Sequence, residues 1–139
     1  MDPFQDISVV TNGIHAINIL NERTGAKVFT CGGQVSNNAA ITGYMALETI
    51  KSFRADILFF SCVGLSVSSG VTEAEQENAA IKQGMIQNAR KRILLCDSTK
   101  MNLEYFCKAC SVEDVDVILT DCEPPRDILS AFRNKIVFV

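Results

Sequence analysis

The sequence predicts an α/β fold in three layers, a mostly parallel sheet flanked by helices. Three observations carry that expectation. Short strand-like apolar runs alternate with stretches of helical spacing along the whole chain, the order that parallel sheets with right-handed crossovers produce. The run 57–62 has almost no polar interruption, as expected for a central strand covered on both faces. The runs also end alike. V-V-T-N, V-F-T-C-G-G, F-S-C-V-G, L-L-C-D-S and I-L-T-D each pass from apolar to small, hydroxyl-bearing or acidic residues, so their carboxyl ends are expected to line one polar crevice.

The elements follow in order. The apolar run 7–10 stops at T-N-G, and Ile14, Ile17 and Leu20 then recur at helical spacing. Thr11 or Asn12 is the expected cap of this helix, whose first turn carries no carboxylate, and Thr24-Gly25 ends it. K-V-F-T-C is a short strand leading into Gly32 and Gly33, where two glycines permit positive φ and close backbone approach. Q-V-S-N-N-A after them reads as loop. From Ala40 the positions Ile41, Tyr44, Met45, Leu47 and Ile50 suit an amphipathic helix, with Gly43 inside it as a mark of tight packing.

The strand ending at Cys62 then empties into a Gly/Ser-rich loop that loosens at Gly64 and Gly70. Thr72 and Glu75 read as a capping box opening the next helix, which Ile81, Met85 and Ala89 continue. Gly84 costs that helix about 1 kcal/mol relative to Ala. Arg90, Lys91 and Arg92 stand near its C-terminus, where cations favour the dipole. Residues 93–96 form another buried strand, running into D-S-T-K at 97–100. An irregular segment to Phe106, a brief capped turn at S-V-E-D, a strand at D-V-I-L-T-D, a helix opened by proline at P-P-R-D-I-L-S-A-F and a last strand at 135–139 complete the chain. No internal repeat or linker is visible, so one domain over 1–139 is expected.

Composition sets bounds. The 139 residues suit a single domain with its own core. With 47% hydrophobic and 21% charged residues, the chain is neither disordered nor fibrous. No apolar run approaches the roughly 20 residues of a membrane span. M-D-P-F-Q-D lacks the basic and apolar regions of a secretory signal, so a cytoplasmic location is expected. A net charge of −3 removes the electrostatic argument for nucleic-acid binding by this chain itself. The six cysteines are expected to be reduced and mostly buried. C-K-A-C at 107–110 has no second pair at zinc-ligand distance, so no metal, redox role or cofactor is expected.

The order T-N … G-G … G-Y-M-A … F-R-A-D-I-L-F-F … G-L-S-V-S-S-G-V-T … K-Q-G-M-I … L-L-C-D-S-T-K … I-L-T-D resembles the C-terminal sensor domain of DeoR-type transcriptional regulators, over essentially the whole chain. The resemblance implies a fold like that of ribose-5-phosphate isomerase, glucosamine-6-phosphate deaminase and the CoA transferases. It also implies a non-enzymatic domain that binds a phosphorylated sugar or related metabolite, in a protein, usually a repressor, that contacts DNA through an N-terminal helix-turn-helix domain. Family members are commonly oligomeric, so a homo-oligomer is expected, and the apolar strand at 136–139 could pair at an edge or an interface. The chain starts at the family's second sensor strand. The helix-turn-helix domain and the first sensor loop, of Asp-Gly-Gly/Ser-Thr-Thr type, have no counterpart in it, so it reads as N-terminally truncated.

Charge divides the expected effector site. Glu73, Glu75 and Glu77 place carboxylates in and near the first turns of the helix after the Gly/Ser loop, which disfavours phosphate there, while the helix after Thr11 and Asn12 carries none. Phosphate is therefore expected toward Asn12, Gly32, Gly33 and the absent loop. Gly70, Thr72, Glu75 and Asp97, with Gly64 in the same loop, are expected to face sugar hydroxyls. Lys100 and Lys82 either bring a cation to the ligand or form salt bridges, Lys100 with Asp97 or Asp121 and Lys82 with a neighbouring helix acid. Asp97 and Asp121 either cap the following turn or touch ligand. Asp56 is expected to fix a strand start, His15 to be a packing or surface residue, and Arg90–Arg92 a solvated helix end. The competing function is a sugar-phosphate isomerase or deaminase with Glu75 or Asp97 as base.

Overall fold

β-branched residues supply the first parallel pair, β1 (Ser8–Val10) and β2 (Lys27–Phe29), in which Val9 stands opposite Val28. The computed structural model describes residues 2–37 and 39–139 and divides them between two compact units, Met1–Phe53 and Arg54–Val139. In the first unit, helix α1 (Ile14–Arg23) crosses from β1 to β2. Its N-cap is Gly13, without a side-chain cap bond. Thr11 and Asn12 do not cap it. The Thr11 hydroxyl accepts from the Gly13 amide at 3.1 Å, and the Asn12 side-chain amide donates to the Ile41 carbonyl at 3.0 Å. The other end closes where expected, with both the amide and the hydroxyl of Thr24 donating to the Leu20 carbonyl.

The loop expected at Q-V-S-N-N-A is instead a hairpin. β3 (Gln34–Ser36) and β4 (Ala40–Thr42) pair antiparallel, and the hydroxyls of Ser36 and Thr42 hydrogen bond at 2.8 Å. Asn38, part of that stretch, lies outside the described residues. Helix α2 (Tyr44–Lys51) therefore starts after Gly43 rather than at Ala40, and Gly43 turns the chain at φ 101° with no packing neighbour. Ile41 and Tyr44 fit a helical period as well as a strand followed by a helix, and the β-branched pair Ile41-Thr42 decides for strand.

The second unit holds β5 (Ala55–Ser61), β6 (Gly64–Ser66), β7 (Gly70–Glu73), α3 (Gln76–Gln87), β8 (Ala89–Leu95), β9 (Cys107–Cys110), β10 (Val117–Thr120), α4 (Arg126–Phe132) and β11 (Ile136–Phe138). Its main sheet is four-stranded and wholly parallel, in the order β11-β10-β8-β5, with α3 and α4 as crossovers. Phe60, Leu94 and Ile118 project from one face into a core with Ala79 and Ile86 of α3 and Ile128 of α4. The mixed α/β fold with a parallel sheet flanked by helices is thus as expected.

Four local expectations change here. β5 ends this sheet's strand order rather than sitting at its centre, and Ile57 and Phe59 on its other face are 51% and 59% exposed. An uninterrupted apolar run shows that both faces carry apolar side chains, not that both are covered. The Gly/Ser stretch is a second antiparallel hairpin, β6–β7, and Gly70 makes its turn at φ 71°, where a Cβ would sit 2.6 Å from the Cys110 carbonyl. Thr72 is therefore a buried strand residue, and α3 begins later, at an N-cap formed by Glu75 without side-chain capping. Arg90, Lys91 and Arg92 belong to β8: α3 stops at Gln87, and the ladder with β5 takes over from Ala89 onward.

β9 carries C-K-A-C as a strand paired with β7, in which a bulge sets Cys107 opposite Glu73 and Cys110 opposite Val71. The capped turn at Ser111–Asp114 forms as expected, with both capping-box bonds present. A repeat also emerges that spacing did not reveal. Each unit contains strand, antiparallel hairpin and helix in succession, with Gln34 opposite Thr42 in one hairpin and Gly64 opposite Thr72 in the other. Both hairpins follow an F-x-C strand end.

Leu94 is fully buried, so Leu94→Ala is expected to cost about 2–5 kcal/mol in urea unfolding. Phe106→Ser, at a residue 96% exposed, should stay within about 0.5 kcal/mol of the parent.

Candidate functional site

Three adjacent parallel strands end together in the second unit. β5 ends at Ser61-Cys62, β8 at Leu95-Cys96-Asp97 and β10 at Thr120-Asp121. Cys62, Cys96 and Thr120 lie at 3%, 2% and 1% exposure, a buried row of small polar side chains beneath this edge. The Thr120 hydroxyl has no hydrogen-bond partner among the described residues. Above the row, Asp97 caps the 3₁₀ turn Ser98–Lys100, its carboxylate accepting from both the amide and the hydroxyl of Thr99. The Thr99 hydroxyl, then its amide, and the nearby Lys100 hold this carboxyl below its ordinary value. Asp121 braces the same turn by accepting from the Ser98 amide at 3.0 Å. Asp97 thus caps the turn that follows it, whereas Asp121 braces the turn after Asp97 rather than its own, and Lys100 forms the foreseen ion pair with Asp97 at 3.8 Å.

The strongest electrostatic feature is Glu73. It lies in β7 at 2% exposure, not in a helical turn, and Lys82 of α3 meets it with a charge-assisted hydrogen bond. Lys82 also donates to the Ser61 carbonyl, which brings its ammonium to the end of β5. Both Lys82 and Lys100 act electrostatically on Cys62 and favour its thiolate. Two cations therefore gather at one group of strand ends.

The β6–β7 hairpin is held by residues that spacing did not single out. The Thr72 hydroxyl donates to the Gly64 carbonyl and accepts from the Tyr105 amide at 3.0 Å, which uses its bonding capacity within the fold. At the turn, the Glu104 carboxylate accepts from the hydroxyls of Ser66 and Ser68. The hydroxyls of Ser68, then Ser66 and Ser69, hold it below the ordinary carboxylate value. Glu75 is exposed at the start of α3.

The remaining expected site residues, Thr11, Asn12, Gly32 and Gly33, lie in the first unit, where Asn12 and Gly33 both abut β4. Asn12 brackets Ile41, its side chain donating to the Ile41 carbonyl and its own carbonyl accepting from the Ile41 amide at 2.8 Å. Gly33 adopts φ 142°, and a Cβ there would lie 2.5 Å from the Thr42 carbonyl. His15 is exposed. Among the described residues no group of three or more His, Cys, Asp or Glu is disposed to hold a metal ion, and no helix is long and apolar enough to cross a membrane.

A parallel sheet whose strand ends gather polar side chains is the arrangement in which α/β folds place their ligand crevices. Residues 1–122 match the family model of the DeoR C terminal sensor domain, and the chain belongs to that family. It is 28% identical over 120 residues, 86% of its length, to the HTH-type transcriptional repressor GlcR of Bacillus subtilis (strain 168). It is 25% identical over 130 residues, 93% of its length, to the glycerol-3-phosphate regulon repressor of Escherichia coli (strain K12). The uncharacterized HTH-type transcriptional regulator FruR of Bacillus subtilis (strain 168) is 32% identical over 124 residues, 88% of this chain. The aligned region covers 46%, 52% and 49% of these relatives respectively, so the chain spans about half their length.

Two outcomes test this geometry. Lys82→Met leaves a buried carboxylate unpaired and is expected to lower stability by about 3–5 kcal/mol, most of which a second substitution, Glu73→Leu, should restore. Because folding depresses the Glu104 pKa, its contribution is complete above the ordinary 4.5 and is lost as pH falls through the lower folded value. Hydrogen exchange at the Ser69 amide should accordingly accelerate only below pH 4.5 in the parent chain, and already at neutral pH in Glu104→Gln.

Proposed function

We propose that this chain is the effector-binding domain of a cytoplasmic transcriptional regulator, acting as one domain over 1–139. A phosphorylated sugar or related metabolite bound here controls DNA binding by a helix-turn-helix domain elsewhere in the protein, most simply as a repressor. The observation that carries the reading is the placement of Lys82 at the end of β5 and of Lys100 in the turn after the neighbouring β8, in a chain of the DeoR sensor family. Lys100 is the more available cation, with a third of its side chain exposed and a long ion pair to Asp97, and is assigned to the anionic group. Asp97 and Glu75 are assigned to sugar hydroxyls. Gly64, Gly70 and Thr72 shape the wall behind them. The name of one relative, a glycerol-3-phosphate regulon repressor, accords with a phosphorylated effector.

The enzymatic alternative asks Asp97 or Glu75 to act as general base. A carboxylate held below its ordinary value by Thr99 is poorly suited to taking a proton from carbon at neutral pH. Family relationship points the same way, since the relatives are transcriptional regulators.

Titration calorimetry on the complete regulator should show that removing the phosphate from a sugar phosphate, or Lys100→Ala, weakens binding about tenfold or more, about 1.4 kcal/mol. Equal affinity with and without phosphate would overturn the assignment. Turnover of ribose-5-phosphate or glucosamine-6-phosphate, lost in Glu75→Gln, would move the protein to the enzyme class. Sedimentation with and without ligand separates constitutive from ligand-driven homo-oligomers.

A further inference from the structure

We propose that Cys62 and Cys96 are an oxidation site at which a hydroperoxide forms a reversible intrachain disulfide across the ends of β5 and β8. The register carries the argument. In this parallel pair Phe60 stands opposite Leu94 and Ser61 opposite Leu95, so Cys62 and Cys96 are the residues that come directly after the last pair of the ladder. Adjacent strands run about 4.7–4.9 Å apart. Disulfides need Cα atoms about 4.4–6.8 Å apart. The two side chains follow Phe60 and Leu94 on the core-facing side and both are buried, and the Cys96 thiol donates to the Asp97 carbonyl at 3.6 Å.

The two sulfurs are not equivalent. The Cys96 side chain lowers the Cys62 pKa, and Lys82 and Lys100 lower it further. Cys96 is raised by Cys62 and by burial. Cys62 is therefore the attacking thiolate. It displaces alkoxide or hydroxide from the peroxide and becomes a sulfenic acid. The Cys96 sulfur then attacks the Cys62 sulfur, forming the S–S bond and releasing water. Two thiols lose two electrons and the peroxide O–O bond takes them up, and a dithiol reverses the step. Cys110, the third buried thiol of this core, is pushed up to about 12 chiefly by burial and stays protonated. The new bond would staple β8 to β5 directly beneath the Asp97–Lys100 turn and beside the Lys82 contact to Ser61.

Trypsin places the two sulfurs on separate peptides, 55–82 and 93–100, with Cys107, Cys110 and Cys122 on others. The full chain is treated with hydrogen peroxide, blocked with N-ethylmaleimide and digested. Mass spectrometry should show 55–82 joined to 93–100, two hydrogens lighter than the free pair and separated by dithiothreitol. The exposed Cys122 serves as the internal measure of oxidant dose. In Cys96→Ala a dimedone adduct should form on Cys62, and in Cys62→Ala none should form on Cys96. Linkage of Cys62 to Cys110 or Cys122, or both thiols still alkylated when Cys122 is fully oxidised, would overturn the proposal. A dimedone adduct on Cys96 alone would overturn the assignment of the nucleophile.

Discussion

A carboxylate at 2% exposure cannot stay charged without a counter-charge, and Glu73 imposes that demand on the whole second unit. Lys82 meets it from α3, and the same ammonium reaches the Ser61 carbonyl. One side chain thereby fixes three elements against each other: the β6–β7 hairpin, the crossover helix and the end of the longest parallel pair. Removing either partner leaves a buried charge, whereas replacing both with apolar groups need not destabilise, so the pair serves specificity of arrangement more than stability. It also places a cation where the strand ends open, and the candidate site rests on that.

The hairpins are the second organising device. Each follows an F-x-C strand end and precedes a helix, once in each unit, so one local solution is used twice. In the second copy the turn is gripped from outside by Glu104 and the strand pair is tied inward by Thr72. Both ties come from or reach residues 104 and 105, so a segment without regular structure still settles the hairpin's shape. The serines and threonine that read from sequence as a ligand loop are thus occupied with one another and with that segment.

Strand order of apolar runs, polar strand ends and the parallel sheet were legible because they depend on local composition and on rules of chain crossing. The hairpins were not. Q-V-S-N-N-A and L-S-V-S-S-G alternate over too few residues, among too many turn-forming ones, to mark strands, and their pairing depends on glycines whose positive φ becomes meaningful only against a neighbouring carbonyl. Arg90–Arg92 were misplaced for a related reason: a helix ending at Gln87 and one running a turn longer satisfy the same periodicity, and only the ladder from Ala55 opposite Ala89 separates them. Among site residues, the ion pair of Lys100 with Asp97 and the capping by Asp97 followed from spacing, whereas the bond from Ser98 to Asp121 depends on β8 lying beside β10. The Glu73–Lys82 and Cys62–Cys96 pairs required knowing that β7 meets α3 and that β8 lies beside β5.

Moving Glu73 out of the helical turn changes the electrostatic case for where an anion goes. As a helix residue it would have added a third carboxylate to the start of α3, and as a strand residue it is neutralised by Lys82. Glu75 and Glu77 still stand at that helix start, so it remains a poor place for phosphate. The positive charge sits at the other side of the loop, where Lys82 and Lys100 both bear on the end of β5. The Asn12 amide, committed to Ile41, has correspondingly less to offer a ligand. Charge placement is thus a reason to propose the carboxyl ends of β5 and β8 as the anion-reading part of this chain.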